Sequence, residues 1–377
     1  MSGLLLYSLA EFRELILQCL DIVGARSVVE IGGEGGTFTS ELLAWAEARG
    51  ATVRCIDPAP SDALVRMIET SPSGELLRAR SADVLDDLET ADVYLVDGDH
   101  NYHTLSVELR AIDGRKGDRH PLLFLHDVGW PAGRRDMYYD PGSLPPEAVH
   151  PYDYERGVTV GCPGLVVDGF RGEGEFAWAR DEGGPANGVL TAIEDFLAER
   201  TELRFRTIPC IFGLGVLYAE DAPYAAEVDA ALAPYVDNPL LARMEQNRVA
   251  LYLRVLEQQH ETAAAHRRAE DWALRLRDVE VENRALWARI AELEAQLARV
   301  SQRYEALARE VETTVSARSF AVAEGLSRLH HRIGHTHGVS GQRLRALLGG
   351  AEADGDDGGR GELAVPSAER TTPRSPR

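Results

Sequence analysis

The run Ser27-Val28-Val29-Glu30-Ile31-Gly32-Gly33-Glu34-Gly35-Gly36-Thr37 leaves few folds open to this chain. A short β-branched stretch passes through an acid into glycines, and Phe38-Thr39-Ser40-Glu41-Leu42-Leu43 then opens a helix. Strand, tight turn and helix start, in that order, form the first unit of a doubly wound α/β sheet. Glycine is needed in such a turn because the backbone must approach a ligand more closely than a Cβ allows. A nucleotide-type binding turn follows from these residues; its ligand does not.

The flanking sequence extends the alternation. Leu9, Phe12, Ile16, Cys19 and Val23 recur in steps of three and four, predicting an amphipathic helix over 6–23 that stops at Gly24. After the glycine turn a helix runs through Trp45 and Ala48 to Gly50. Thr52–Ile56 is a second strand ending on Asp57-Pro58, and Leu76–Arg80 a third, leading to Asp83. Asp92–Val96 is a fourth, running into Asp97-Gly98-Asp99-His100 and a helix over Tyr102–Ile112. Pro121–Leu125 is a fifth, ending on His126-Asp127. Strands alternating with helices imply a Rossmann-like, mostly parallel sheet. Residues 130–185 are rich in Gly, Pro and aromatics and read as a substrate-side insertion. A helix over Asn187–Arg200 and two strands within Arg204–Tyr218 follow, the last antiparallel and closing the sheet. The expected first domain is 1–235.

A different regime begins near Leu240. Leu276, Val279, Leu286, Ile290, Leu293, Leu297, Val300, Tyr304, Leu307 and Val311 keep a heptad seam for about five repeats, with Asn283 at an a position. Residues 240–315 are therefore expected to form a long helical coiled coil, pairing with a second copy or a partner protein. A short basic amphipathic, His-rich segment over 316–348 and a disordered tail over 349–377 complete the expected organisation.

A formal net charge of −21 argues against nucleic acid as the main partner. Four scattered cysteines without a CxxC pair suit reduced thiols, and no stretch approaches membrane-spanning length, so a cytoplasmic protein is expected.

Glu30, Asp57, Asp83 and Asp97 stand at or just after the carboxyl ends of successive predicted strands, the edge at which open α/β sheets bind ligands. Asp57 falls where a ribose hydroxyl can be held. Glu30-x-Gly32-x-x-x-Gly36, followed by Asp57 and Asp83, resembles the class I S-adenosylmethionine-dependent methyltransferases. The resemblance implies that cofactor, with Glu30, Gly32, Gly33, Gly36, Asp57 and Asp83 binding it. A dinucleotide dehydrogenase is disfavoured, because it would place a pyrophosphate where this chain has Glu34. A sulfonium cofactor has no phosphate and carries positive charge, so acids in the turn suit it.

The resemblance narrows at Asp97-Gly98-Asp99-His100 and His126-Asp127, which are similar to the metal-dependent O-methyltransferases of sugars and natural products. It implies Asp97 and Asp127 as ligands of a divalent metal, Mg²⁺ in that group, and His100, beside Asp97, as the catalytic base. His126 departs from the group, which more often has an acid there; as a third ligand it suits a softer metal than Mg²⁺. Asp99 reads equally well as the cap of the helix from Asn101. The resemblance spans about Val23 to Ala219.

The expected function is an S-adenosylmethionine-dependent O-methyltransferase acting on a hydroxyl of a sugar, glycan or secondary metabolite, with divalent metal as an optional aid. The alternative is a non-catalytic methyltransferase-like head on a coiled-coil assembly or scaffold protein. An acid at every strand end speaks against it, since a scaffold has no need of them. Trp130, Tyr138, Tyr139, Tyr152, Tyr154 and Trp178 either stack on the acceptor or form the core of the insertion. Arg134 and Arg135 either meet an anionic substrate group or line a solvated loop. The string from His330 to His337 could bind a metal but reads better as a polar linker.

Overall fold

The computed structural model describes residues 6–117 and 120–332, so the side chains of the His330–His337 string and the 349–377 tail lie outside the described residues. The chain divides into two compact units, Met1–Arg267 and Arg268–Arg377.

The first unit alternates strands and helices. In chain order come α1 (Arg13–Val23), β1 (Ser27–Ile31), α2 (Thr37–Arg49), β2 (Thr52–Ile56), α3 (Asp62–Thr70), β3 (Gly74–Leu77), α4 (Ser81–Val84), β4 (Val93–Val96), α5 (Tyr102–Arg115) and β5 (Leu122–His126). There follow β6 (Met137–Tyr138), β7 (Tyr152–Asp153), β8 (Ala177–Ala179), α6 (Val189–Ala198), β9 (Leu203–Ile208), β10 (Leu214–Ala219) and α7 (Ala225–Leu232). The helices α8 (Pro239–Ser316) and α9 (Arg318–Arg332) end the described chain. The helix predicted over 6–23 is a 3₁₀ turn at Leu9–Phe12 followed by α1, and Gly24 stops it in the left-handed conformation.

The main sheet runs β3-β2-β1-β4-β5-β10-β9. β1 to β5 pair in parallel, and β10 lies antiparallel between β5 and β9. Every residue of β4 and β5 is buried, as expected of strands covered by helices on both faces. β1 has β2 on one side and β4 on the other, so the strand order reverses there and opens a crevice at the carboxyl ends. β3 is shorter than predicted. Its pairing with β2 ends at Ile56 opposite Leu77, and beyond that register Arg78 to Arg80 have no partner strand.

The insertion is a three-stranded sheet, β6-β8-β7, around buried Tyr138 and Trp178. Asp136 ties it down: its carboxylate accepts the amides of Tyr102 and Gly188 at 2.8 and 2.7 Å and the Tyr138 hydroxyl at 2.8 Å.

The first unit also takes in the start of α8, beyond the expected boundary at 235. Val249 and Tyr252 on that helix bury themselves against Phe212. Later in α8 the seam residues Leu286, Ile290, Leu293 and Leu297 are exposed. Among the described residues, no helix is long and apolar enough to cross a membrane, and the four cysteines are free thiols.

Candidate active site

The glycine turn is shaped by what surrounds it. Gly32 has a φ of 86°, and a Cβ there would stand 2.1 Å from the backbone oxygen of Asp97, so only glycine fits. Asp57 ties the turn to the end of β2. Its Oδ2 accepts the Gly33 and Glu34 amides, each at 3.1 Å, and its Oδ1 accepts the Ala59 amide at 2.8 Å. Glu30 is buried and accepts the Thr39 hydroxyl at 2.6 Å. Burial pushes its carboxyl up to about 7 despite that bond, and the charge on Asp97 adds to the rise. Glu34 is raised as well, by burial first and then by Asp97, Asp57 and Glu175.

The ends of β4 and β5 bring a second set together. Asp97 follows β4, His126 ends β5, and Asp127 comes next with a left-handed φ of 57° that Asp tolerates better than most residues. One ligand atom from each of the three lies within 4.8 Å of the others. His126 Nδ1 is 2.9 Å from Asp97 Oδ1 and 3.7 Å from Asp127 Oδ2, while Nε2 is 3.1 Å from the Ile211 carbonyl oxygen. Burial opposes charge on this ring, but Asp97 and Asp127 outweigh it and push its pKa up to about 9. His100 is buried too, with Nε2 3.3 Å from Asp127 Oδ2 and 3.9 Å from Asp97 Oδ1.

Neighbouring residues hold this set in place. Asn101, not Asp99, caps α5, its Oδ1 accepting the Thr104 amide at 2.8 Å. Asp99 instead accepts the Asn101 side-chain amide at 2.5 Å and the Thr104 hydroxyl at 3.1 Å. The Met137 amide donates to the His100 carbonyl at 3.0 Å, which fixes the insertion beside the base. Tyr139 is 52% exposed, with its ring 6.4 Å from that of His100.

The aromatics of the insertion thus divide. Tyr138 and Trp178 are core, and Tyr139 faces the site. Arg134 is paired with Glu194, and buried Arg135 donates to the carbonyls of Ala179 and Pro163, so both are committed within the protein. Asp83 stands apart from the strand-end acids. β3 ends well before it, and within α4 its half-exposed carboxylate takes the Arg80 guanidinium at 2.8 and 2.9 Å.

One supporting element escapes the sequence reading. Ile211 and Phe212 lie in the left-handed region, with φ of 51° and 63°, in the loop between β9 and β10. The Ile211 carbonyl meets His126, and the Phe212 carbonyl accepts the Gly129 amide at 2.6 Å, just past Asp127. Pro209 and Gly213-Leu214-Gly215 hint at a loop here in the sequence, but nothing local marks a β-branched residue for that conformation.

Seven strands in this order, with the antiparallel strand set inside one edge, form a Rossmann-like, mostly parallel sheet. Residues 29–128 match the family described as a methyltransferase domain, and that span contains both clusters. The first unit therefore carries a span that matches a methyltransferase domain. No curated protein shows significant similarity to the chain. Among solved structures, the chain is similar to the SAH-bound methyltransferase PaMTH1 of Podospora anserina, with 12% identity over 55% of this chain and 78% of that one and a TM-score of 0.36. It is likewise similar to an O-methyltransferase of Bacillus cereus in complex with SAH, with 15% identity over 56% and 81% of the two chains and a TM-score of 0.35. A methyltransferase of Geobacter sulfurreducens gives 12% identity over 55% and 77%, with a TM-score of 0.32.

Proposed function

We propose that this protein is an S-adenosylmethionine-dependent O-methyltransferase acting on a hydroxyl of a sugar, glycan or secondary metabolite, with a divalent metal at Asp97, His126 and Asp127. The observation that carries the reading is the meeting of Asp97, His100, His126 and Asp127 at the carboxyl edge, beside the glycine turn.

The residues suit both groups. The acceptor position that Asp57 keeps beyond the Gly33, Glu34 and Ala59 amides, next to the glycine turn, suits a hydroxyl of an adenosyl cofactor. At the second cluster, the Nε2–H of His126 can donate to Ile211, which leaves Nδ1 facing the two carboxylates, where a bound metal would take the place of its proton. A ring nitrogen fixed through its opposite N–H is the usual arrangement of a metal-bound histidine. The mixed nitrogen and oxygen set suits Mn²⁺, Fe²⁺ or Zn²⁺ better than Mg²⁺. When bound, adenosylmethionine supplies an electrophilic methyl on a sulfonium, and the cation lowers the pKa of an acceptor hydroxyl.

The protein's own part is positioning and proton transfer. His100 Nε2 faces the carboxylates and accepts the acceptor's proton as the O–CH₃ bond forms and the S–CH₃ bond breaks. Asp127 and Asp97 then stabilise the resulting imidazolium, each within 4 Å. Tyr139 offers a ring face at the mouth for a sugar or aromatic acceptor. The exposed seam of α8 pairs with the same seam of a second copy.

Calorimetric titration of adenosylmethionine, with Mn²⁺, with Mg²⁺ and with EDTA, tests the reading. Binding of the cofactor, together with transfer to a hydroxyl acceptor that EDTA slows, is the expected result. A folded protein that binds no adenosylmethionine would defeat it in favour of a non-catalytic head.

A further inference from the structure

Glu245 lies in the second turn of α8, outside the strands and loops that form the site. Its carboxylate accepts two consecutive amides, those of Ile211 and Phe212, at 3.0 Å each. Arg248, one turn further, grips the same carboxylate with two bonds of 2.6 and 2.7 Å and lies over the Phe212 ring at 4.4 Å. Its other nitrogen donates to the Leu6 carbonyl at 2.6 Å. Arg248 and the two amides hold the Glu245 carboxyl below its usual range, although burial works the other way. Both clamped residues are left-handed, a conformation that an Ile or Phe keeps only where its surroundings impose it. The carbonyls of this pair meet His126 Nε2 on one side and the Gly129 amide on the other.

We propose that Glu245 is a positioning residue for His126 and Asp127, acting through the left-handed Ile211–Phe212 backbone that it clamps together with Arg248. The start of the long helix is then a working part of the methyltransferase site. Without the clamp the loop relaxes, the Ile211 carbonyl leaves His126, and the imidazole is no longer held with Nδ1 toward Asp97. The inference rests on the metal reading above for one of its two readouts only.

The test uses the full-length protein with Glu245→Ala and Glu245→Gln. In Glu245→Ala, Mn²⁺ affinity falls by about ten- to a hundredfold, as for lost partners of metal-bound histidines. Adenosylmethionine affinity stays within about twofold, because Asp57 bonds the glycine turn and Ala59 rather than the loop. Glu245→Gln keeps one acceptor oxygen and gives an intermediate loss; it also serves if the alanine variant does not fold. The second readout needs no metal: solvent exchange of the His126 Nε2–H by nitrogen NMR, assigned through His126→Asn. That proton exchanges at least about tenfold faster in Glu245→Ala once its bond to Ile211 is lost. A wild type that binds no Mn²⁺ would refute the metal reading, and the exchange measurement would still decide this one. Unchanged exchange in a folded Glu245→Ala protein overturns the proposal. So does an equal loss of Mn²⁺ and adenosylmethionine affinity in both variants, which would mark a purely structural role.

Discussion

In the proposed reading, Asp57 serves two purposes with one carboxylate. Three of its acceptor positions are taken by the amides of Gly33, Glu34 and Ala59, and a carboxylate offers about four, which leaves one for a ribose hydroxyl. On that reading Asp57→Ala removes a cofactor contact, and it also releases two turn amides. Calorimetry should find adenosylmethionine affinity lower by at least about tenfold, and unchanged affinity would remove Asp57 from the site. Glu30 makes a different prediction, of pH dependence. Its carboxyl is raised from 4.5 to about 7 in the folded protein, so the folded state keeps a proton that the unfolded chain releases. Stability from this group is complete below pH 4.5 and is lost as the pH rises to about 7, by roughly 3 kcal/mol. Glu30→Gln keeps an acceptor for Thr39 and removes that slope. Denaturant melts of both proteins at pH 4.5 and 7 should show the variant gaining by this amount, and a constant difference would mean that Glu30 ionises freely.

At the level of elements, the sequence was most legible where the deciding contacts are local. β2 was readable to the residue because its β-branched run stops at Asp57-Pro58, β1 was readable as a run passing into glycines, and the late strand pair was readable from its position. Where the deciding partner is remote, the reading drifted. The end of β3 is set by its register on β2, and Asp83 left the acid series with it. Asn101 is the cap, a role that was one of two readings of Asp99, because Asp99 is turned toward Thr104. The split of the aromatics between core and mouth depends on how the insertion is anchored, and the anchor, Asp136, carries no signature in the sequence. Asp136→Ala leaves two amides and a hydroxyl without their acceptor in a buried place and should cost about 3 kcal/mol or more. It should also raise the acceptor KM through the freed β6 segment while adenosylmethionine affinity stays the same. Urea denaturation and steady-state kinetics check the two halves; an unchanged urea midpoint would show that the insertion is held by other contacts.

For the whole molecule, the unexplained feature is apolar surface. Leu286, Ile290, Leu293 and Leu297 are 61, 43, 48 and 68% exposed on a helix of 78 residues. A helix of that length gains little from propensity alone and needs a partner for its stripe. The heptad spacing fits a second copy of the same seam, and Asn283, exposed at an a position, favours two parallel strands in one register because each amide can bond its mate. Sedimentation equilibrium should then give twice the chain mass of 41.3 kDa. Ile290→Asp with Leu297→Asp places charges in the seam and should yield monomers that still bind adenosylmethionine, because neither residue belongs to the first unit. Asn283→Leu should do the reverse, raising the melting temperature of the helix while admitting higher oligomers. A wild-type protein that sediments as a monomer at micromolar concentration would reassign the stripe to a different protein partner, and the double aspartate variant would then abolish that association instead.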